Sequence, residues 1–339
     1  MSIELYLKSA YVEITDKCNL FCKHCYNDSH YKNNNFLNHL AIKNIYEDFL
    51  SKKIDQISIS GGEPLLHPEI SKVFAYAHDY KIKTQIVTNG ILLKNHIGNI
   101  NNNPYLTVQI SIDGVGKSHD LLRNSEIFDI VDSNLSLLDK NVDISINTCL
   151  NKYNLLELEY IVQYAVSKGA KTIAFSPLNS QGRSAINNNI HISNAELGKA
   201  TEEISNLSIK YQEYINIKPV KINYSQCPFS LSSNADISPR IDVYGNVFLC
   251  SMFINPMFSI GNIYKMNLSE IINGDRCKII TDFLYSFKRF IECKACVLNN
   301  TCQKGCLAQY LNALPSYHDD LCNFKKNDFF AFLNKNVAH

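Results

Sequence analysis

The 339-residue chain has no apolar run near the roughly 20 residues that a membrane-spanning helix needs. Its first 17 residues carry Glu4, Lys8, Glu13 and Asp16 and lack a continuous apolar stretch, which argues against an export signal. Glycine (13) and proline (9) are scarce, which excludes a fibrous repeat or a disordered low-complexity chain. Charge of one sign is missing too, since 33 Lys and Arg against 32 Asp and Glu leave a formal net charge of +1. Nothing at whole-chain level therefore marks a nucleic-acid or membrane-surface partner. The expectation is a folded cytoplasmic protein, long enough for one large domain or two.

What the chain has in quantity is cysteine, 12 residues of it. An intracellular chain should not hold six disulfides, because cytosolic reductants keep thiols reduced. Metal ligation, redox chemistry and plain burial remain. Cys18, Cys22 and Cys25 crowd the amino terminus, and Cys149 stands alone between 26 and 226. Cys227, Cys250, Cys277, Cys293, Cys296, Cys302, Cys306 and Cys322 fill the last third. Thiols used only as small core residues would not segregate in this way. The pattern predicts metal chemistry at both ends of a cysteine-poor middle.

That middle has a rhythm. β-Branched runs recur at Tyr11–Thr15, Gln56–Ser60, Thr84–Thr88, Leu106–Ile112, Val142–Thr148 and Thr172–Phe175. Between them, Ile42–Phe49, Ile70–Ala77, Ile127–Leu138 and Leu155–Val166 space apolar residues three and four apart. Strands alternating with helices predict an α/β fold with a parallel sheet. Right-handed crossovers wind such units into an open, barrel-like layer, with ligand chemistry at the carboxyl ends of the strands.

The motifs fall at those ends. After the first strand, Cys18-x3-Cys22-x2-Cys25 puts three thiols on one short loop. Three thiolates hold three corners of a cubane and leave one iron without a protein ligand. A zinc site would need a fourth ligand, for which His24 and His30 stand near. The second strand ends in Gly61-Gly62-Glu63-Pro64, where two glycines let backbone come close to a ligand, or simply make a turn before a helix.

Loop and Gly-Gly-Glu-Pro together resemble the radical S-adenosylmethionine (radical SAM) superfamily. The resemblance implies a partial (β/α)6 barrel over 8–223 and a 4Fe–4S cluster held by Cys18, Cys22 and Cys25. SAM would chelate the open iron and be cleaved reductively to a 5′-deoxyadenosyl radical. Glu63 would accept a hydrogen bond from the SAM ammonium, with Gly61, Gly62 and Pro64 shaping that turn. Ser111 and Arg123, twelve residues apart, would bind the ribose and carboxylate. His24 takes the place where an aromatic residue lies against the adenine, and Ile173 matches a position whose backbone reads the adenine edge.

The last third begins with Cys227 and a β-hairpin over 240–250, in which Gly245-Asn246 is a favourable turn pair. Cys293-x2-Cys296-x5-Cys302-x3-Cys306 follows, then Cys322. Two close pairs also suit a zinc ribbon. With Gly245-x4-Cys250, however, the run resembles the SPASM extension of radical SAM enzymes, here 224–330 with a tail over 331–339. That likeness implies two auxiliary iron–sulfur clusters, making three in all. By position, Cys227, Cys250 and Cys306 would hold one, and Cys293, Cys296, Cys302 and Cys322 the other. The first set is one cysteine short. An open iron, a non-cysteine ligand or recruitment of Cys277 would each complete it, although Cys277 lies in a helical pattern (271–280) that suits a buried thiol. Cys149 reads as a core residue, and 327–337 as a short helix.

SPASM enzymes mostly modify peptides and proteins. The resemblance therefore implies a maturase that acts on a ribosomally synthesised peptide, with an oxidative thioether or carbon–carbon cross-link as the leading product. The alternatives are epimerisation, which needs a hydrogen donor such as a thiol, chemistry on a tetrapyrrole or another small molecule, and sulfatase maturation. The last is disfavoured: Ser251 follows Cys250 where sulfatase maturases carry an aspartate base, and a hydroxyl is a poor base without an activating neighbour. The 17 residues before Cys18 leave no room for the winged-helix leader-peptide domain of some peptide maturases. A separate presenting protein, or binding at the barrel mouth alone, is expected, with flavodoxin or ferredoxin as reductant.

Overall fold

The computed structural model describes residues 4–220 and 234–286, apart from 53 and 55, together with Ala308. In chain order, β1 (Glu4–Leu7) and β2 (Ala10–Thr15) precede α1 (His39–Ser51), β3 (Gln56–Gly61), α2 (Ile70–Tyr80) and β4 (Lys83–Thr88). Next come α3 (Ile97–Asn101), β5 (Leu106–Ser111), α4 (Lys117–Arg123), α5 (Phe128–Leu135), β6 (Asp143–Leu150) and α6 (Leu158–Ser167). They are followed by β7 (Thr172–Pro177), α7 (Arg183–Ile186), α8 (Asn194–Lys210) and β8 (Asn216–Lys218). The remaining elements are β9 (Asn234–Ile237), β10 (Arg240–Ile241), β11 (Asn246–Phe248), β12 (Gly261–Asn262), α9 (Leu268–Asn273) and α10 (Asp275–Ser286).

Among the described residues, one compact unit holds 10–220 with 242–244, and the other holds 4–9, 234–241 and 245–286. In the first, β2 to β8 lie side by side in sequence order, every neighbouring pair parallel. This is the partial barrel that the alternating pattern predicts, with the six expected strands in the expected order. β8 has three residues, too few to show a period of two.

The two faces of this sheet differ in chemistry. Ile57, Ile59, Ile86, Val108, Ile110, Ile144, Ile146 and Ile173 are buried on one face, where the helices cover them. On the other, Ser58, Gln85, Thr107, Gln109, Ser111, Ser145, Asn147 and Ser176 are half-exposed. Side chains alternate across a strand, so each Ile or Val packed outward places a hydroxyl or amide inward. These inner groups bond across strands: Ser58 donates to Gln85 at 3.3 Å, Gln85 to Ser145 at 3.4 Å and Ser176 to Asn147 at 3.1 Å. The barrel interior is polar but carries little charge.

In the second unit, β1 pairs with β9 in parallel, and β10, β11 and β12 form an antiparallel meander. The hairpin turn falls at Val243–Tyr244, two residues before the Gly245-Asn246 pair. Asp242 explains the shift, because its Oδ1 accepts from the Tyr244 backbone N–H at 2.9 Å, and Gly245 then takes φ +80°. The single helical pattern over 271–280 resolves into α9 and α10, broken where Gly274 is extended. Cys277 is fully buried in α10, and burial pushes its thiol up to about 11. Cys250 is half-buried just after β11. The expected helix over 327–337 lies outside the described residues.

Candidate functional site

The carboxyl ends of β2 to β7 gather the chemistry of the first unit. At the end of β3, Gly61 has φ +138°, and a Cβ there would sit 2.1 Å from the Thr15 carbonyl oxygen. A Cβ on Gly62 would sit 2.2 Å from the Lys17 carbonyl oxygen. This is close approach of backbone to backbone. The Gly62 N–H donates to Thr15 at 2.6 Å and the Glu63 N–H to Lys17 at 2.8 Å. The two glycines thus bind the Gly-Gly-Glu-Pro turn to the start of the cysteine loop. The fully buried Glu63 carboxylate accepts from Thr88 Oγ1 (2.6 Å), the Asn89 N–H (2.8 Å) and the Leu65 N–H (3.2 Å). Burial lifts this carboxyl to about 7 although those three donors pull it down. Its acceptor oxygens thus tie β3 to the end of β4, and Pro64 starts a buried helical turn after it.

Cys18 and Cys22 are buried and Cys25 is half-buried, all three unpaired. Burial, followed by the nearby Glu63 charge, pushes the Cys18 thiol up to about 12. Burial likewise raises Cys22, against the pull of Arg123. The loop is gripped from β7's far end by residues that no sequence signal singled out. Gly182, at φ +54°, lies so close that a Cβ would meet the Cys25 and Tyr26 carbonyl oxygens at 2.5 Å. Arg183 follows it: its backbone N–H donates to the Cys25 carbonyl at 2.9 Å and its Nε to the Cys22 carbonyl at 2.8 Å. Its two terminal nitrogens reach Asp28 Oδ1 (2.6 Å) and the Ser29 carbonyl (2.8 Å), while the guanidinium lies 3.9 Å from the centre of the Phe21 ring. The only trace in the sequence is one Gly-Arg step after a strand.

A second buried network centres on Asp113, just beyond β5. Its carboxylate lies 2.6 Å from Arg123 Nη2 and 3.8 Å from His24 Nε2, and it accepts from the Cys149 N–H at 2.8 Å. Burial by itself would lift this carboxyl, but the Arg123 cation, His24, His119 and the Cys149 N–H together outweigh it and hold the group below the usual carboxylate range. Burial drives His24 down to about 4, which leaves the ring neutral at pH 7. Arg123 Nη1 also approaches Cys22 Sγ at 3.9 Å. Cys149 is therefore no simple core residue: it stands half-buried at the end of β6, beside Asp113, with a thiol raised by burial. Asp113→Ala would leave the Arg123 charge buried and unpaired. We expect a loss of about 3–5 kcal/mol in stability, read from the anaerobic denaturant midpoint.

The donor set fits an iron–sulfur cluster with SAM beside it. Three unpaired thiols share one loop, and His24 Nδ1 and Arg123 Nε are buried without a hydrogen-bond partner among the described residues, which leaves polar atoms for a ligand. His24, Arg123, Cys22, Glu63 and the two glycines are thus brought to one end of the sheet, with Ser111 half-exposed on its inner face. Ile173 is not brought there. It is the second residue of β7, fully buried on the helix-covered face, and its backbone runs in the ladders with Ile146 and Ile217. Of the C-terminal cysteines, Cys227, Cys293, Cys296, Cys302, Cys306 and Cys322 lie outside the described residues.

Two family patterns match. That of the radical SAM superfamily covers residues 12–165, and that of the SPASM iron–sulfur cluster-binding domain covers 233–297. The chain is a radical SAM enzyme with a SPASM domain. This enzyme is 22% identical to mycofactocin maturase MftC of Mycobacterium tuberculosis, over 89% of the chain and 79% of that protein. It is 24% identical to the antilisterial bacteriocin subtilosin biosynthesis protein AlbA of Bacillus subtilis, over 93% and 70% respectively. Its fold is shared with Streptococcus suis SuiB bound to its precursor peptide SuiA, at a TM-score of 0.74 and 16% identity over 95% of the chain and 77% of SuiB. Among the described residues, no helix of this radical SAM enzyme is long and apolar enough to cross a membrane.

Proposed function

We propose that this radical SAM enzyme modifies a ribosomally made peptide, closing an oxidative thioether or carbon–carbon cross-link. The observation that carries the reading is the likeness to maturase MftC and to AlbA, which runs through about nine-tenths of the chain and so takes in both the radical SAM and the SPASM parts. We assign Cys18, Cys22 and Cys25 to the SAM-binding 4Fe–4S cluster. Cys227, Cys250 and Cys306, and Cys293, Cys296, Cys302 and Cys322, are assigned to two auxiliary clusters. Domain limits of 8–223 and 224–330 go with these assignments. When bound, the cluster and SAM supply a 5′-deoxyadenosyl radical that takes a hydrogen atom from the substrate.

The chain's own residues hold and shield that chemistry. Gly61 and Gly62 lock the SAM-facing turn against the loop, Asp113 holds Arg123 beside Cys22, and the neutral His24 offers a flat, uncharged ring to the adenine. We assign Ser111 to the ribose. On the inner face, Gln109, Ser145 and Asn147 offer amides and hydroxyls that suit peptide groups, which are neutral and hydrogen-bonding. A flavodoxin or ferredoxin supplies the electron, and the peptide is presented by a separate protein or binds at the barrel mouth alone.

Intact mass after anaerobic reaction with the candidate precursor peptide in heavy water tests the proposal. A loss of about two mass units, one pair of hydrogens for one new bond, is the expected result. Epimerisation is a second reading, favoured by the Cys149 thiol at the end of β6. It would give a gain of about one unit, as a solvent-exchanged S–D replaces the abstracted hydrogen. An unchanged peptide while SAM is cleaved would move the substrate to a small molecule and sink both peptide readings.

A further inference from the structure

Two buried guanidiniums border the cysteine loop, and their charges are balanced differently. Arg123 faces Asp113, which is fully buried, at 2.6 Å. That cation has a buried counter-charge, although its Nη1 still reaches Cys22 Sγ at 3.9 Å. Arg183 is as deeply buried, with 6% of its side chain exposed, yet its carboxylate partner Asp28 is 64% exposed. Water screens Asp28 far more than it screens Arg183. The other Arg183 partners, the Cys22 and Ser29 carbonyls and the Phe21 ring, carry no net charge.

The Cys22 contact comes from Nε, so the guanidinium plane is fixed against the loop's own backbone. The Cys25 and Tyr26 carbonyls lie against Gly182, and Asn187 Nδ2 donates to the Lys23 carbonyl at 3.0 Å. Four consecutive residues of the loop, Cys22 to Cys25, therefore have three carbonyls engaged from one segment after β7. The segment fixes the shape of the loop and brings a buried cation to its backbone.

We propose that Arg183 is a positioning residue whose under-compensated charge sets the reduction potential of the loop's cluster, favouring the reduced, more negative state. The inference rests on the assignment of Cys18, Cys22 and Cys25 to that cluster. A buried cation beside a site that gains an electron stabilises the product more than the reactant. Asp28 works as a partial brake on the same charge. The electron comes from the external reductant, and no bond forms or breaks at Arg183.

The test is a redox titration of the reconstituted full-length enzyme, following the electron-paramagnetic signal that changes when SAM is added. Arg183→Gln is expected to lower the reduced-to-oxidised ratio at a fixed potential about tenfold, equivalent to about 59 mV for one electron. Arg183→Lys keeps the charge, and its ratio stays within about threefold of the parent. Asp28→Asn moves the ratio the opposite way, upward, by about twofold to threefold. Asp28 has φ +50°, which asparagine tolerates, so this variant keeps the backbone.

A purely structural clamp would shift Arg183→Lys and Arg183→Gln alike and leave Asp28→Asn unmoved, and either result overturns the proposal. If Arg183→Gln fails to hold iron, the lysine and asparagine variants decide alone. A parent enzyme without iron–sulfur absorbance or a SAM-responsive signal would sink the cluster assignment instead, before Arg183 is at issue.

Discussion

Alanine in place of Cys18, Cys22 or Cys25 is expected to abolish SAM cleavage, with 5′-deoxyadenosine falling below detection in each single variant. The three thiols stand on one loop and each is assigned one corner; of the other described cysteines, Cys149 is on β6, Cys250 follows β11 and Cys277 is sealed inside α10. Iron should drop by about one cluster's worth rather than to zero, because the assigned auxiliary ligands are untouched. Folding should survive, since Cys25 is only half-buried and the loop keeps its Arg183 and Gly62 contacts. Liquid chromatography of anaerobic, dithionite-reduced reactions makes the measurement. Retained deoxyadenosine in any of the three would overturn the assignment of the loop.

The second large effect concerns a hydrogen atom replaced by a methyl group. Gly61→Ala is expected to cost more than about 3 kcal/mol, because the Cβ would meet a backbone oxygen at 2.1 Å and the residue would keep φ +138°. Gly62→Ala should come close to it, with its Cβ 2.2 Å from the Lys17 oxygen. Neither clash is with a flexible side chain, so relief requires moving the main chain at Thr15 to Lys17, which leads into Cys18. Iron retention after reconstitution should fall together with the thermal midpoint. Gly98→Ala, where a Cβ would meet nothing within 4 Å, serves as the control and should leave both unchanged. A Gly61→Ala enzyme with parental midpoint and iron would mean that the turn does not lean on the loop.

Much of this was legible in the residues themselves. The six long strands show because each alternates β-branched with polar residues, and that alternation is the signature of a sheet with helices on one side only. The cysteine spacing and the Gly-Gly-Glu-Pro turn are legible because both are short and local. What escaped is non-local or too brief to have a period. Arg183 acts 161 residues from its partner Cys22, and nothing in a Gly-Arg step announces that distance. Asp113 sits within the Ser-Ile-Asp-Gly run at the end of β5, where only its pairing with Arg123 shows its part. At the start of α8, Ser193 and Glu196 form a reciprocal cap, a signal that stands plainly in the chain. For Ile173 the resemblance implies a role through the backbone, and that backbone runs in the ladders with Ile146 and Ile217.

The raised thiols of Cys18 and Cys22 bear on the life of the chain before it holds iron. A neutral thiol is a weak nucleophile and a slow target for peroxide or alkylating agents. Freshly made protein would therefore carry two chemically quiet thiols, Cys18 and Cys22, protected by their burial. Loading metal must then expel those protons, and the pull has to come from the metal, since neither thiol gives its proton up at neutral pH. Cluster loading at these assigned ligands would then be an acid-releasing event.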